Sequence, residues 1–165
     1  MNALEVLKTR RSVRKYLDKN VELSILKDLA DCGRLAATAR NIQPCRFVIV
    51  TDKKRKLKLS ELVTSGKFIN DAAACILVFC EETPFMIEDG AAATQNILLA
   101  AKAHGLGSCW IAGYGRPYQK EVESFIGVPE NIKLISCVSV GYEDGKAETS
   151  KKPLEEVMHI DCWKE

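Results

Sequence analysis

One seven-residue segment, 74–80, constrains the fold more strongly than any other part of this chain. It reads ACILVFC and is apolar at every position, so a strand formed here is buried on both faces. Such a strand needs a covering layer on each side, and the amphipathic patterns around it are typical of helices that supply one. Cys75 and Cys80 are five residues apart and should point to opposite faces, so they are not expected to bond to each other.

The rest of the chain alternates between helical and extended patterns. Helices are predicted over residues 2–9, about 21–37, about 53–64, 88–104 and about 117–126, and further strands over 46–51, 108–111 and 132–141. On the first helix Leu4, Val6 and Leu7 are expected to face inward. Asn20 is expected to cap the second helix and Asp52 the third.

Composition narrows the function classes. The chain fits one domain spanning residues 1–165, with 47% hydrophobic residues and a net charge of +2, which does not favour a nucleic-acid partner. The basic run Lys53–Lys58 is expected to be the solvated face of a helix. No apolar run approaches ~20 residues and charges begin within the first ten, so neither a membrane span nor a signal peptide is expected.

The cysteines and the end of the chain add two expectations. None of the seven cysteines is spaced as Cys-x-x-Cys, which is typical of reduced thiols and indicates a cytoplasmic protein. With two histidines and no ligand cluster, no metal site is predicted. The segment 142–165 is polar and then apolar, so its apolar part must cover either its own domain or a partner.

Three segments carry candidate chemistry. The clamp, Arg10–Arg14, places three guanidiniums and a hydroxyl where the chain leaves its first helix, and arginine donors match phosphate oxygens. A polar segment, Ala36–Pro44, lies between a helix and a strand. A glycine-containing segment, Gly105–Gly113, follows a long Ala-rich helix. The Gly-x-Gly-x-x-Gly, P-loop and nucleophile-elbow patterns are absent, and no histidine is marked as the partner of a nucleophilic cysteine.

In this order, and together with the Lys151–Val157 segment, these segments resemble the nitroreductase family of FMN-dependent oxidoreductases. The resemblance extends over essentially the whole chain. It implies an α+β fold with a mostly antiparallel central sheet sandwiched by helices. It also implies an intertwined homodimer with FMN at the interface in each of two sites.

The resemblance assigns cofactor contacts to fifteen positions. They are Arg10, Arg11, Ser12, Arg14, Thr38, Ala39, Asn41, Gln43, Ser65, Lys67, Ile111, Ala112, Gly113, Lys151 and Lys152. The clamp and the late lysine pair would bind the FMN phosphate. The cover loop, residues 38–43, would come from the other subunit and lie over the flavin. Ser65 and Lys67 would make polar contacts to the ring, and the edge segment, residues 111–113, would run along it with a backbone N–H at N5.

The chain departs from the common family pattern at three positions. Ala37 stands where the cover loop usually has proline, Cys45 where tryptophan often follows Gln-Pro, and Ala112 where many relatives have glutamate. The substitution at Cys45 leaves space near the cofactor or the core. A carboxylate is missing at Ala112. These departures bear on the identity of the substrate more than on FMN binding.

The implied activity is transfer of hydride from NADH or NADPH onto FMN, followed by reduction of a small acceptor such as a nitroaromatic or a quinone in a ping-pong mechanism. Hydride delivery needs no side-chain acid or base, so no catalytic residue is assigned. Two alternatives remain open. One is a specialised flavin reaction, either reductive dehalogenation or flavin fragmentation. The other is a flavin-binding protein of the same fold without turnover.

Overall fold

A four-stranded antiparallel sheet forms the centre of the computed structural model, which describes residues 1–163. Its strands are β1 (Cys45–Val50), β2 (Ala74–Glu81), β3 (Gly107–Ala112) and β4 (Ile132–Gly141). They are ordered β1-β2-β4-β3, and every pair is antiparallel. All of β2 except its last residue is buried, which confirms the strand predicted from the apolar run.

Helices cover both faces of this sheet. They are α1 (Ala3–Thr9), α2 (Leu23–Arg34), α3 (Lys53–Leu62), α4 (Met86–Ala103) and α5 (Gln119–Ile126). One core lies between the sheet and α2 and α4, and includes Cys80; the other lies beneath α3 and α5, and includes Cys75. The α+β sandwich and the opposite orientations of the two cysteines are therefore confirmed.

Of the two N-terminal helix caps predicted from the sequence, the structure has the cap of α3 but not that of α2. The side chain of Asp52 accepts a hydrogen bond from the backbone N–H of Arg55 at 2.9 Å, so the predicted cap of α3 is confirmed. The predicted cap of α2 was wrong. That helix begins at Leu23, its N-cap is Glu22 without a side-chain cap bond, and Asn20 lies too far upstream to serve it.

Two expectations about burial were wrong. On α1 only Val6 is buried, whereas Leu4 and Leu7 are 65% and 54% exposed, because the neighbouring helix surface covers one side of α1 only. On α3 Lys56 is buried, and its ammonium donates to the backbone carbonyls of Ala72 and Asn70, which supply the polar partners it would otherwise find in water. Burial, followed by the charge of Lys53, lowers the pKa of Lys56.

The exposure of the C-terminal segment and the lengths of the helices bear on what this chain contacts. The apolar residues of the C-terminal segment are exposed, so they do not cover their own domain: Leu154, Val157, Met158, Ile160 and Trp163. The expectation that the segment covers its own domain is therefore wrong for these residues, and cover by a partner stays a prediction. Over residues 1–163, no helix combines the length and apolar character that a membrane crossing requires.

Candidate functional site

The clamp lies along the free edge of the sheet. After α1 the chain passes beside β3, where Ser12 forms a parallel bridge with Ser108 and the N–H of Val13 donates to the Ser108 carbonyl at 2.9 Å. This approach needs a glycine at position 107, because a Cβ there would lie 2.8 Å from the Val13 side chain. The clamp is thereby fixed against one end of β3.

Two clamp arginines, Arg10 and Arg14, both act electrostatically on the Cys109 thiol. Burial raises the pKa of the Cys109 thiol. The charge of Arg14, a hydrogen bond from Ser12 and the charge of Arg10 each act to lower this pKa. Arg10 Nη1 is buried and has no hydrogen-bond partner within residues 1–163. A buried cationic donor without a partner is costly, and an anion would satisfy it. The clamp therefore contains a cationic donor whose hydrogen-bonding capacity is unused within the described residues.

Arg11 differs from its neighbours because its guanidinium is already used within the chain. It donates to two carbonyls at the end of α1, both at 2.9 Å, and to the carbonyl of Thr149 at 3.2 Å. The last bond ties the segment just before Lys151 and Lys152 to the clamp. Both lysines are exposed. The residues just before them, 146–149, line a cavity together with Ser12 and Arg14.

A cavity of about 420 Å³ adjoins the clamp. Its walls are Arg14, Thr64, Ser65, Phe68, Cys109, Trp110, Ile111, Ala112, Arg116, Pro117 and Tyr118. The structure thus places four of the residues that the resemblance assigned, Arg14, Ser65, Ile111 and Ala112, in the wall of one cavity. Lys67 is exposed and is not part of this wall, where its neighbour Phe68 stands instead.

The edge of β3 presents a backbone donor to the cavity. The N–H of Gly113 bonds to the Ile135 carbonyl at 2.9 Å, and antiparallel pairing alternates, so the N–H and C=O of Ala112 point away from β4. The Ala112 carbonyl accepts a hydrogen bond from the Tyr118 hydroxyl, which also lies 3.3 Å from Ser65 Oγ. Tyr118 therefore fixes this edge and leaves the Ala112 N–H facing the cavity.

Gly113 has a packing role that the sequence did not indicate. We expected glycine here to allow a close approach of the cofactor. In the structure a Cβ at this position would lie 2.6 Å from Leu134 Cγ, and the N–H of Gly113 is bonded to Ile135. The absence of a side chain is required by the packing against β4.

The cover loop has an unusual backbone held by a buried carboxylate. Arg40, Asn41 and Gln43 have φ values of 52°, 56° and 56°, in the left-handed region that costs non-glycine residues energy. Asp89 Oδ1 accepts the Ala39 N–H at 2.9 Å. Asp89 is only 4% exposed, and its second oxygen is buried without a hydrogen-bond partner in the described residues. Such backbone geometry is concentrated at functional sites.

The cover loop and the clamp are far apart within one chain. Asp89, which holds the loop, lies in the first turn of α4, and Lys102, which shares a cavity with Arg10, lies in the last. At 1.5 Å per residue these positions are ~20 Å apart. The loop leads into β1, and the edge segment belongs to β3, so the full width of the sheet, ~14 Å, also separates them.

Sequence reasoning missed several residues at the site. Tyr118 and Asp89 act through tertiary contacts with Ala112 and Ala39, and nothing in their local sequence marks those contacts. Trp110 belongs to a segment already singled out, and the only sequence signal for it is a large aromatic residue within that short predicted strand; in the structure it is 37% exposed. Arg116 lines the cavity without forming an ion pair within residues 1–163.

Comparison with known proteins gives consistent matches over most of the chain. The profile of the Nitroreductase family matches residues 7–83 and 67–142. A protein of Archaeoglobus fulgidus named "Putative NADH dehydrogenase/NAD(P)H nitroreductase" is 37% identical over 146 residues, covering 84% of each chain. The NADPH-flavin oxidoreductase of Vibrio harveyi is 26% identical, covering 99% of this chain and 75% of the relative.

Solved structures agree with the sequence matches. The FMN-dependent nitroreductase of Clostridium difficile superimposes with a TM-score of 0.91 at 28% sequence identity. The superposition covers 97% of this chain and 99% of that chain. The likeness therefore includes the sheet, its helical layers and the segments that form the candidate site.

Proposed function

This chain belongs to the nitroreductase family, and from that premise we propose that it folds as one domain and works as an FMN-dependent NAD(P)H oxidoreductase. The observation that carries the proposal is the buried, unpartnered Nη1 of Arg10 in a clamp that also offers Ser12 and Arg14. FMN has a phosphate of nearly two negative charges, and arginine binds phosphate through parallel hydrogen bonds.

The residues present fit FMN at both of its ends. Arg10, Ser12 and Arg14 would hold the phosphate, and Lys151 and Lys152 would join them from the segment whose Thr149 is bonded to Arg11. The adjoining cavity would take the ring system. There Ser65 and the N–H of Ala112 are available as donors, and Trp110 and Phe68 provide flat apolar surface. Lys67, outside the wall, would act at longer range.

FMN, when bound, supplies hydride uptake from NAD(P)H and hydride delivery to an acceptor. The protein's own groups bind and orient the reactants. Arg14 places positive charge beside the cavity and so favours the negative charge that reduction adds to the ring. The N–H of Ala112 is a donor fixed by β3 and Tyr118, so it needs no rearrangement to act.

We further propose that the nicotinamide donor and the acceptor occupy the same place in turn, which gives a ping-pong mechanism. Nitroaromatics and quinones are the acceptors we expect, because flat molecules suit an open cavity walled by Trp110 and Phe68. A cytoplasmic location is part of the proposal and is supported by seven free thiols.

A homodimer completes the site in this proposal. The cover loop of one chain lies ~20 Å from its own clamp along α4, so the loop that covers each flavin would come from the partner chain. Exposed apolar surface is available for the association. An apolar groove lies between α1, α2 and α4, and the exposed apolar residues of the C-terminal segment, 154–163, provide matching surface.

The experiment that tests the activity is an anaerobic absorbance titration of the purified protein, loaded with FMN where needed. The proposal predicts a flavin spectrum between about 350 and 500 nm that bleaches on addition of NADH or NADPH and returns on addition of a quinone. A flavin spectrum that no nicotinamide bleaches would favour the binding protein without turnover. Failure to take up FMN at all would refute the assignment of the site.

Light scattering at low protein concentration tests the dimer separately. A dimeric mass in the FMN-loaded state is expected because the two halves of each site lie on different chains. A monomer that retains its flavin would contradict the shared site. The order of substrate binding is tested by steady-state kinetics, where parallel double-reciprocal lines are expected for a ping-pong mechanism.

A further inference from the structure

Two thiols lie side by side where the cover loop enters the sheet. Cys45 is the first residue of β1, and it stands directly opposite Cys80 of β2, with their sulfur atoms 3.3 Å apart. Both are free thiols.

The strand pairing gives this pair a geometry that a disulfide can use. The N–H of Glu81 donates to the Pro44 carbonyl, so positions 44 and 81 form a hydrogen-bonded pair. Cys45 and Cys80 are the next pair and are therefore of the non-hydrogen-bonded type, with Cα atoms ~4.5 Å apart. That separation lies within the range observed for disulfides, and the sulfur atoms need to approach by only about 1.2 Å.

The two thiols differ in access and in acidity. Cys45 is partly exposed, whereas Cys80 is completely buried. The hydrogen bond between them lowers the pKa of Cys45, against burial and the charge of Asp89, and Arg46 acts in the same direction as the bond. The same hydrogen bond and burial raise the pKa of Cys80. An accessible thiol with a lowered pKa beside a second thiol is the arrangement of redox-sensitive cysteine pairs.

We propose that Cys45 and Cys80 form a reversible disulfide when the protein meets hydrogen peroxide. The Cys45 thiolate attacks one peroxide oxygen, the O–O bond breaks, and hydroxide leaves, which yields the sulfenic acid of Cys45 and, after protonation, water. Cys80 then attacks this sulfur and releases the second water as the S–S bond forms. Two thiols lose two electrons and two protons in total, and one peroxide becomes two waters.

A second close pair in the same sheet shows why the site is specific. Cys75 of β2 and Cys137 of β4 are diagonal neighbours on the opposite face, since Cys75 pairs with Ser139 and Cys137 with Leu77, and both are completely buried. Their environment raises the pKa of Cys137 well above its ordinary value. Peroxide has no exposed sulfur to attack there, so this pair serves as an internal control within the same protein.

The test is peptide mass spectrometry of the full-length protein after peroxide treatment, in a variant that lacks the two other accessible thiols (Cys32→Ser with Cys162→Ser). The treated protein is denatured, alkylated and digested. We expect two alkylation sites to be lost, a linked peptide pair containing Cys45 and Cys80 with the mass of two hydrogens missing, and recovery with dithiothreitol. Cys75 and Cys137 should remain alkylatable.

A variant separates the two chemical steps. In Cys80→Ser a hydroxyl can still donate to the Cys45 sulfur but cannot form the S–S bond, so dimedone should trap the sulfenic acid at Cys45, whereas the parent protein should show little trapping. Full alkylation of Cys45 after a treatment that oxidises Cys162 in the unmodified chain would overturn the proposal, as would a link from Cys45 to any other cysteine. Since no readout depends on FMN or turnover, failure of this proposal is distinguishable from failure of the proposed function.

Discussion

Replacing Arg10 with alanine distinguishes cofactor binding from a structural role, because the two roles predict opposite outcomes. With FMN bound, a charge-assisted hydrogen bond from this guanidinium contributes about 1.5–3 kcal/mol. At about 1.4 kcal/mol per factor of ten, its loss weakens FMN binding roughly 10–150-fold. In the apoprotein the buried Nη1 has no partner, a cost of about 1–3 kcal/mol that the substitution removes.

The loss of packing by the aliphatic part of Arg10 offsets some of that relief. We therefore expect the free energy of unfolding of apo Arg10→Ala to lie within about 1 kcal/mol of the parent value or above it. The dissociation constant comes from titrating apoprotein with FMN and following flavin fluorescence, and the stability from urea unfolding of the same preparation.

The matched control is Arg55→Ala on α3, where the guanidinium lies 5.6 Å from the centre of the Phe125 ring and away from the clamp. This variant should bind FMN as the parent does. A clear loss of apoprotein stability in Arg10→Ala with unchanged FMN affinity would show that Arg10 supports the fold, and the reasoning from its unpartnered nitrogen would be wrong.

Three further predictions concern residues that support the site. Asp89→Ala removes the acceptor of the Ala39 N–H, so we expect the free energy of unfolding to fall by about 1–3 kcal/mol and the cover loop to be proteolysed faster. Asp89→Asn keeps an oxygen acceptor, so both effects should be smaller in that variant. Tyr16 follows the clamp, is buried, and donates its hydroxyl hydrogen to the Val13 carbonyl at 2.7 Å. Burial raises the pKa of Tyr16 above its ordinary 10.0, so the stability linked to its proton is complete below pH 10 and is lost as the pH rises above it; urea unfolding of Tyr16→Phe should show a weaker alkaline decline. Gly113→Ala should cost about 1–3 kcal/mol in thermal unfolding. Leu134→Ala is itself destabilising because Leu134 is buried, but the double variant should lose less stability than the sum of the two single variants, since the new Cβ meets this side chain.

The sequence predicted the features that depend on local pattern. The apolar run in β2 required layers on both faces, and the structure has α2 and α4 on one face and α3 and α5 on the other. The cap at Asp52 was evident because its bond to Arg55 spans only three residues. The contacts of Arg10, Arg11 and their neighbours with FMN remain predictions that the binding experiments will test.

Features set by distant contacts could not be predicted from local pattern. Lys56 has the sequence context of a solvated face, yet the carbonyl of Ala72, sixteen residues away, provides a buried partner. Leu4 and Leu7 follow the helical period of an inward face, but no element within residues 1–163 covers them. Tyr118 reaches the Ala112 carbonyl only because the turn after β3 brings it back to the sheet edge.

The separation of the cover loop from the clamp has a genetic consequence. In the proposed dimer, each site takes its clamp from one polypeptide and its cover loop from the other. A variant whose clamp no longer binds FMN, for which Arg10 and Arg14 would both be replaced, and a variant with a defective loop would both be inactive alone. Co-expressed, they form mixed dimers in which one site has both defects and the other has neither. Two null alleles would then complement each other, an inheritance pattern that a self-contained monomer cannot produce.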